Sequence, residues 1–261
     1  MLLRDKVIII TGVGPGMGRK LALIAAEEGA RVAICSRTKD FIDGVVGEIK
    51  SEGGQAIAVP TDVGDSAQCE RLAAATLEAF GTIDGLVNSA YAHGPMTATF
   101  ENSDLGEWQA NMNITCFGAL RMVKAVLPAM KAQRCGAVVN VLSMASVKPM
   151  PGEEDYATAK GALNTATRQL ANELGKYNIR VNGARMGWLW GASVQGYVKA
   201  DAAARGIPEQ QIIDFISNRI ALRVIPPDEE CAKSVLFFVS DYAKMVTGAT
   251  LDINGGEYMS S

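Results

Sequence analysis

Histidine is nearly missing from this 261-residue chain. One is present, His93, and the five cysteines (Cys35, Cys69, Cys116, Cys135 and Cys231) are scattered without a C-x-x-C pair. An odd set at such spacings supports neither a disulfide framework nor a zinc site, so no metal is expected. No sign of charge is in large excess, because 25 basic side chains against 28 acidic ones leave −3. A field this weak and acidic does not gather phosphate backbones, which excludes general nucleic-acid binding. Long hydrophobic runs are absent too. The first apolar run, Val7–Ile10, ends at Thr11-Gly12, too short for a signal-peptide core or a membrane span. The expectation is a cytoplasmic protein with no membrane partner. Aromatics are sparse at 6%, but 48% apolar and 20% charged residues make an ordinary soluble mixture that can bury a substantial core.

What is present is an alternation. Short β-branched runs (7–10, 31–35, 56–59, 83–88, 137–142, 179–184 and 249–253) are separated by segments of helical periodicity, among them long helices near 106–133 and 155–177. Strand and helix in turn read as consecutive βαβ units, hence a single Rossmann-like doubly wound α/β domain of about seven parallel strands flanked by helices. No linker interrupts residues 1–261. The stretch outside the rhythm is 186–221, where glycines, tryptophans and two helix-like pieces replace a simple crossover. A long insertion after a strand often forms a lid over a substrate, and that role is expected here.

Directly after the first strand comes Thr11-Gly12-Val13-Gly14-Pro15-Gly16-Met17-Gly18, followed by an amphipathic helix with Leu21, Ile24 and Ala25 on one face. Glycines let the backbone approach a pyrophosphate closely, and the free N–H groups at the helix start attract anions. Pro15 has no N–H, so Gly16 and Met17 are the expected donors, with Gly12 and Gly18 shaping the turn. At the end of the second strand, where a fold that selects NAD offers a carboxylate to the ribose, Ser36-Arg37 stand instead. A guanidinium fork suits a 2′-phosphate, which favours NADP, with NAD still possible.

Tyr156-Ala157-Thr158-Ala159-Lys160 opens a helix-like segment. Four residues on an α-helix turn through about 400° and rise about 6 Å, so both side chains share a face. An ammonium ~4 Å from a phenolate, at an effective dielectric near 20, is worth about 4 kcal/mol, or about three pKa units. A tyrosine so placed can exchange protons near neutrality. Ser143 closes the predicted strand Asn140-Val141-Leu142-Ser143, 13 residues before Tyr156, and Asn113 lies on the long helix before it.

This ordered set resembles the short-chain dehydrogenase/reductase family over essentially the whole chain, through the closing Val246-Thr247-Gly248 and Asp252-Ile253-Asn254-Gly255-Gly256. The resemblance implies that Tyr156 is the acid/base, that Lys160 lowers its pKa and holds the nicotinamide ribose, that Ser143 holds the substrate oxygen, and that Asn113 supports a proton relay. It also implies cofactor contacts from Asp62 and Val63 to the adenine and from Asn88, Tyr156, Lys160 and Gly187. Two motifs depart from the pattern. Val87-Asn88-Ser89-Ala90-Tyr91 places tyrosine where the family has the glycine of N-N-A-G, and Arg185-Met186-Gly187-Trp188 replaces its P-G, with Gly191 at its usual threonine and Ser193 as a substitute.

Met150, Trp188 and Trp190, with Ser143 and Tyr156, are the expected substrate-pocket residues, whereas His93 beside Gly94-Pro95 reads as a loop residue or pocket rim. The implied activity is hydride transfer between a nicotinamide and a secondary alcohol or ketone, apolar or bulky. The alternative is a catalytically silent dinucleotide-binding regulator. The related enoyl reductases space tyrosine and lysine seven apart, a position held here by Leu163. Family resemblance and the small residues of the 155–177 helix imply a homo-dimer or homo-tetramer.

Overall fold

The computed structural model describes residues 1–93 and 100–260. Among these, seven parallel strands form one sheet: β1 (Val7–Thr11), β2 (Arg31–Cys35), β3 (Gln55–Ala58), β4 (Gly85–Asn88), β5 (Gly136–Ser143), β6 (Ile179–Met186) and β7 (Thr250–Ile253). Their order is β3-β2-β1-β4-β5-β6-β7. Strand side chains alternate, and here both faces are buried. Ile8, Ile10, Val32 and Ile34 point to one apolar layer, while Ile9, Ala33 and Cys35 point to the other. That two-sided burial is why β1 reads as an unbroken apolar run rather than as alternating residues.

The first layer is closed by α1 (Met17–Glu27), α2 (Lys39–Ser51) and α9 (Asp228–Phe237), the second by α3 (Ser66–Phe80), α5 (Gly118–Gln133) and α6 (Glu154–Leu174). Because β2 and β4 lie on opposite sides of β1, the order reverses there, and the crevice beyond the carboxyl ends of β1 and β4 is where such a fold binds ligands.

The long helix expected over 106–133 is not uniform. It consists of α4 (Leu105–Met112), a π-helical segment Asn113–Phe117, and α5. The wider π turn adds a residue and rotates the faces on either side of it. The insertion after β6 folds as α7 (Ala192–Arg205) and α8 (Glu209–Ser217), which share a small core of Val198, Ala202, Ile212, Ile216, Ile220 and Ile225. Among the described residues, no helix is long and apolar enough to cross a membrane, and no group of His, Cys, Asp or Glu is arranged to hold a metal ion.

Candidate active site

The glycine turn is held from both sides. Val13 N–H donates to Cys35 O at 3.0 Å, and the Thr11 hydroxyl accepts from Ser89 and Ala90 N–H at 3.1 and 3.2 Å. A Cβ on Gly12 would lie 2.5 Å from Ala90 Cα, and one on Gly18 would lie 2.4 Å from Gly12 O. These two glycines therefore exist for backbone packing. Gly14 and Gly16 differ, since a Cβ at either meets nothing within 4 Å. The open side of the turn faces the cavity, and Gly16 caps α1 with no side-chain hydrogen bond and no acidic residue in the first turn. By contrast, Asp65 and Asp104 cap α3 and α4 with their own carboxylates. The start of α1 thus keeps orphan N–H donors and a positive dipole end for an anionic ligand, so the residues present fit the pyrophosphate of a dinucleotide.

The same cavity, about 550 Å³, is lined by this turn and by Ser143, Tyr156 and Lys160. Ser143 ends β5, the turn after it places Tyr156 in the first turn of α6, and Lys160 follows one turn later. The Ser143 hydroxyl accepts from Ala145 N–H at 3.2 Å and stands beside the Tyr156 phenol, whose pKa it lowers. Lys160 is 1% exposed, and its Nζ donates to Val141 O at 2.6 Å and sits 5.6 Å from the Tyr156 ring centre. Burial without a paired carboxylate pushes its ammonium down to about 7.

Tyr156 does not have the depressed pKa anticipated from the Tyr–Lys spacing. Burial pushes its phenol up, the neighbouring Tyr91 and Glu153 add to this, and only the Ser143 hydroxyl opposes them. The physical reason is that burial desolvates both groups and so penalises the phenolate and the ammonium alike.

A protein-family model described as enoyl-(acyl carrier protein) reductase matches residues 12–257. The 3-oxoacyl-[acyl-carrier-protein] reductase FabG of Staphylococcus epidermidis is 30% identical over 257 residues, covering 98% of this chain and all of that one. A Burkholderia xenovorans structure assigned to the short-chain dehydrogenase/reductases superposes with a TM-score of 0.89 at 30% identity, covering 98% of this chain and 97% of that one. The chain belongs to the short-chain dehydrogenase/reductase family. Levodione reductase, at 28% identity, a TM-score of 0.89 and 98% coverage of both chains, has the same fold. This short-chain dehydrogenase/reductase is an oxidoreductase that uses a nicotinamide cofactor on alcohol and carbonyl groups, and the silent-regulator reading is not favoured. Leu163, seven residues after Tyr156, is buried against Ala119 and Leu142 in the core.

Several expected contacts lie elsewhere in this short-chain dehydrogenase/reductase. Asn113 is not brought to the cavity. It opens the π segment, and its amide oxygen accepts from Arg121 Nη2 at 2.7 Å. Asn88 is 3% exposed and donates to Asn140 Oδ1 at 2.9 Å, joining β4 to β5 rather than lining the cavity. Trp190 also stays out of the lining, with its backbone N–H on Pro226 O at 2.8 Å and its side chain packed on the insertion's own core. Gly187, Trp188, Met150 and Ser193 do line it. A Cβ at Gly191 would lie 2.9 Å from Asp228 Oδ2, so the family's threonine there would require the Asp228 carboxylate to shift. Ser36 and Arg37 follow β2 beside the glycine turn, Arg37 being exposed. Asp62 and Val63 follow β3, where Asp62 Oδ1 accepts from Gly64 N–H at 2.8 Å.

Sequence reasoning missed a relay of hydrogen bonds that steadies the site. Ala92 N–H donates to Thr115 Oγ1 at 3.0 Å, Thr115 donates to Asn111 Oδ1 at 2.9 Å, and Asn111 donates to Asp155 Oδ2 at 3.1 Å. Asp155 Oδ1 then accepts from Tyr156 N–H at 2.6 Å. Asn111 and Thr115 are four residues apart on one helical face, a spacing visible in the sequence. The relay fixes the segment after β4, and that segment carries two rings onto Tyr156. Tyr91 meets it edge-on at 5.8 Å, and His93 lies against it at 4.6 Å and 31°. Tyr91 at the family's glycine position therefore became a wall of the site.

Proposed function

We propose that this protein is an NADP(H)-dependent ketone reductase and secondary-alcohol dehydrogenase acting on an apolar or bulky substrate. The observation that carries the reading is the meeting of Ser143, Tyr156 and Lys160 with the glycine turn around one cavity whose remaining walls include Met150, Leu189, Val194, Trp188 and Tyr197. The nicotinamide, when bound, supplies hydride to a carbonyl carbon or takes it from a carbinol. Everything else is done by side chains. Ser143 donates a hydrogen bond to the substrate oxygen and orients it. Tyr156 gives its phenolic proton to that oxygen in reduction and accepts it back in oxidation. A phenol raised by burial is fully protonated at neutral pH, which suits the reductive direction. Lys160 Nζ lies 5.6 Å from the ring centre, where its positive charge favours release of that proton and stabilises the phenolate.

NADP is favoured over NAD because Ser36 and Arg37, rather than a carboxylate, follow β2, the position from which a fold that selects NAD reaches the ribose. The insertion 186–221 closes over the substrate, Gly187 and Gly191 lying at its base. The protein is read as a cytoplasmic homo-dimer or homo-tetramer built on α4–α5 and α6. Half-exposed Leu105 and Phe117 on the outer side of that helix pair support an interface, and a monomer in sedimentation at micromolar concentration would count against it.

The test is consumption of NADPH with a panel of bulky, cyclic and small ketones, repeated as oxidation of the matching alcohols. Turnover by the native protein and a loss of about 10²-fold or more in Tyr156→Phe are expected. A Tyr156→Phe variant as active as the native protein would reject the assignment.

A further inference from the structure

The cavity carries a charge pattern that hydride transfer does not require. Among its described lining residues, the charged side chains are Lys160, Glu153 and Asp228. Lys160 is turned onto Val141 O behind the tyrosine ring. The two carboxylates are on the other side of the balance. Glu153 stands at the N-terminal boundary of α6, yet its side chain makes no cap hydrogen bond to the helix. It is nine-tenths buried, and its Oε2 lies 3.0 Å from His93 Nε2. His93 in turn packs against the Tyr156 ring at 4.6 Å, tilted by 31°, so the carboxylate is fixed beside the acid/base. Asp228, 9% exposed, lies against Gly191 at the base of the insertion. Helix capping does not explain the orientation of Glu153, and no arginine is among the described lining residues to neutralise it.

A fixed carboxylate in a walled cavity repels an incoming anion far more strongly than one in bulk water would, and a like charge held in place is an effective means of rejecting a wrong ligand. We propose that Glu153, held by His93, is a specificity-determining residue that makes this cavity reject carbonyl compounds bearing a carboxylate and accept neutral ones or those bearing a protonated amine. This rests on the proposed ketone chemistry for the identity of the ligand class, while the charge selection belongs to the cavity and is measurable without turnover.

The experiment uses three acetophenones substituted at the para position with methyl, aminomethyl or carboxylate, so that skeleton and carbonyl are constant and charge runs from zero to positive to negative. Their dissociation constants from the native protein, with and without saturating NADP⁺, are measured by titration calorimetry near pH 7. Binding of the carboxylate is expected to be at least tenfold weaker than that of the methyl and aminomethyl compounds. In Glu153→Gln, which keeps an acceptor for His93, the gap is expected to narrow to threefold or less, while Glu153→Asp retains it. Equal or tighter binding of the carboxylate by the native protein overturns the proposal. So does an unchanged gap in folded Glu153→Gln, or failure of all three compounds to bind. If they bind in the expected order but NADPH is not consumed, the ketone-reductase reading fails while the charge selection stands.

Discussion

Replacing Lys160 by methionine separates stability from activity, and the structure sets both magnitudes. Lys160 is fully buried without a carboxylate, and its ammonium is pushed from 10.5 down to about 7. Below pH 7 the lysine is charged in both folded and unfolded chains, and the folded state bears the whole desolvation penalty. Between pH 7 and 10.5 the unfolded chain binds more protons, so stability rises with pH and the penalty fades. The shift of 10.5 to about 7 corresponds to an upper limit of about 5 kcal/mol. The ammonium's hydrogen bond to Val141 O is lost in the variant and offsets about 1.5–3 kcal/mol of this. Lys160→Met is therefore expected to be more stable by about 2 kcal/mol at pH 6, a rise in Tm of about 4 °C or more. The gain should vanish toward pH 10.5. Activity moves the other way. The ammonium, 5.6 Å from the Tyr156 ring centre, is worth about 3 kcal/mol to a phenolate at an effective dielectric near 20, or about two pKa units. Alcohol oxidation near neutral pH should fall about a hundredfold. Thermal melts at pH 6, 8 and 10 beside initial rates decide the matter. A lower Tm at pH 6, a gap in Tm that does not shrink with pH, or undiminished activity would refute the reasoning.

Gly18→Ala forces a Cβ to within 2.4 Å of Gly12 O, and a loss of about 1–3 kcal/mol in thermal stability is expected, as for other overpacked sites. Gly14→Ala meets nothing within 4 Å and should melt like the native protein while binding NADP(H) more weakly by calorimetry; unaltered affinity would move the pyrophosphate elsewhere. Arg37→Ala should raise the KM for NADPH about tenfold and leave that for NADH nearly unchanged, since only the former loses charge-assisted hydrogen bonds, and equal kinetic losses with both would defeat the NADP assignment. Both Trp188 and Trp190 pack on the insertion's core, so either alanine variant should lose thermal stability, but Trp188→Ala, at the cavity wall, should also change the preference between bulky and small ketones by about 1–3 kcal/mol, whereas Trp190→Ala should leave it unchanged; the reverse pattern in a size-graded series would exchange their roles.

The sequence by itself determined the parallel sheet, the glycine turn, the sites of Ser143, Tyr156 and Lys160, and the two-helix insertion. Each is encoded over a short span, by a period of two or 3.6 or by a fixed spacing, and such local patterns survive folding unchanged. Tertiary structure alone decided which side chains those elements present to one another. Asn113 was expected at the site, but the π segment that begins there changes the helical phase, so the site is tied by Asn111 and Thr115 while Asn113 turns to Arg121. Trp188 and Trp190 are two residues apart, cannot be told apart by composition and both pack on the insertion's core, yet Trp190 pairs through its backbone with the segment around Pro227 and Trp188 alone of the two lines the cavity. The depth of burial at Lys160 and Tyr156 reversed the direction expected for the tyrosine, because desolvation depends on everything packed around a charge and not on its spacing from a partner. Glu153 and His93 are 60 residues apart in the chain. Their contact exists because β4 and β5 pair side by side in the sheet and deliver the segment after β4 and the start of α6 to the same rim, a long-range consequence of sheet order that no local pattern carries.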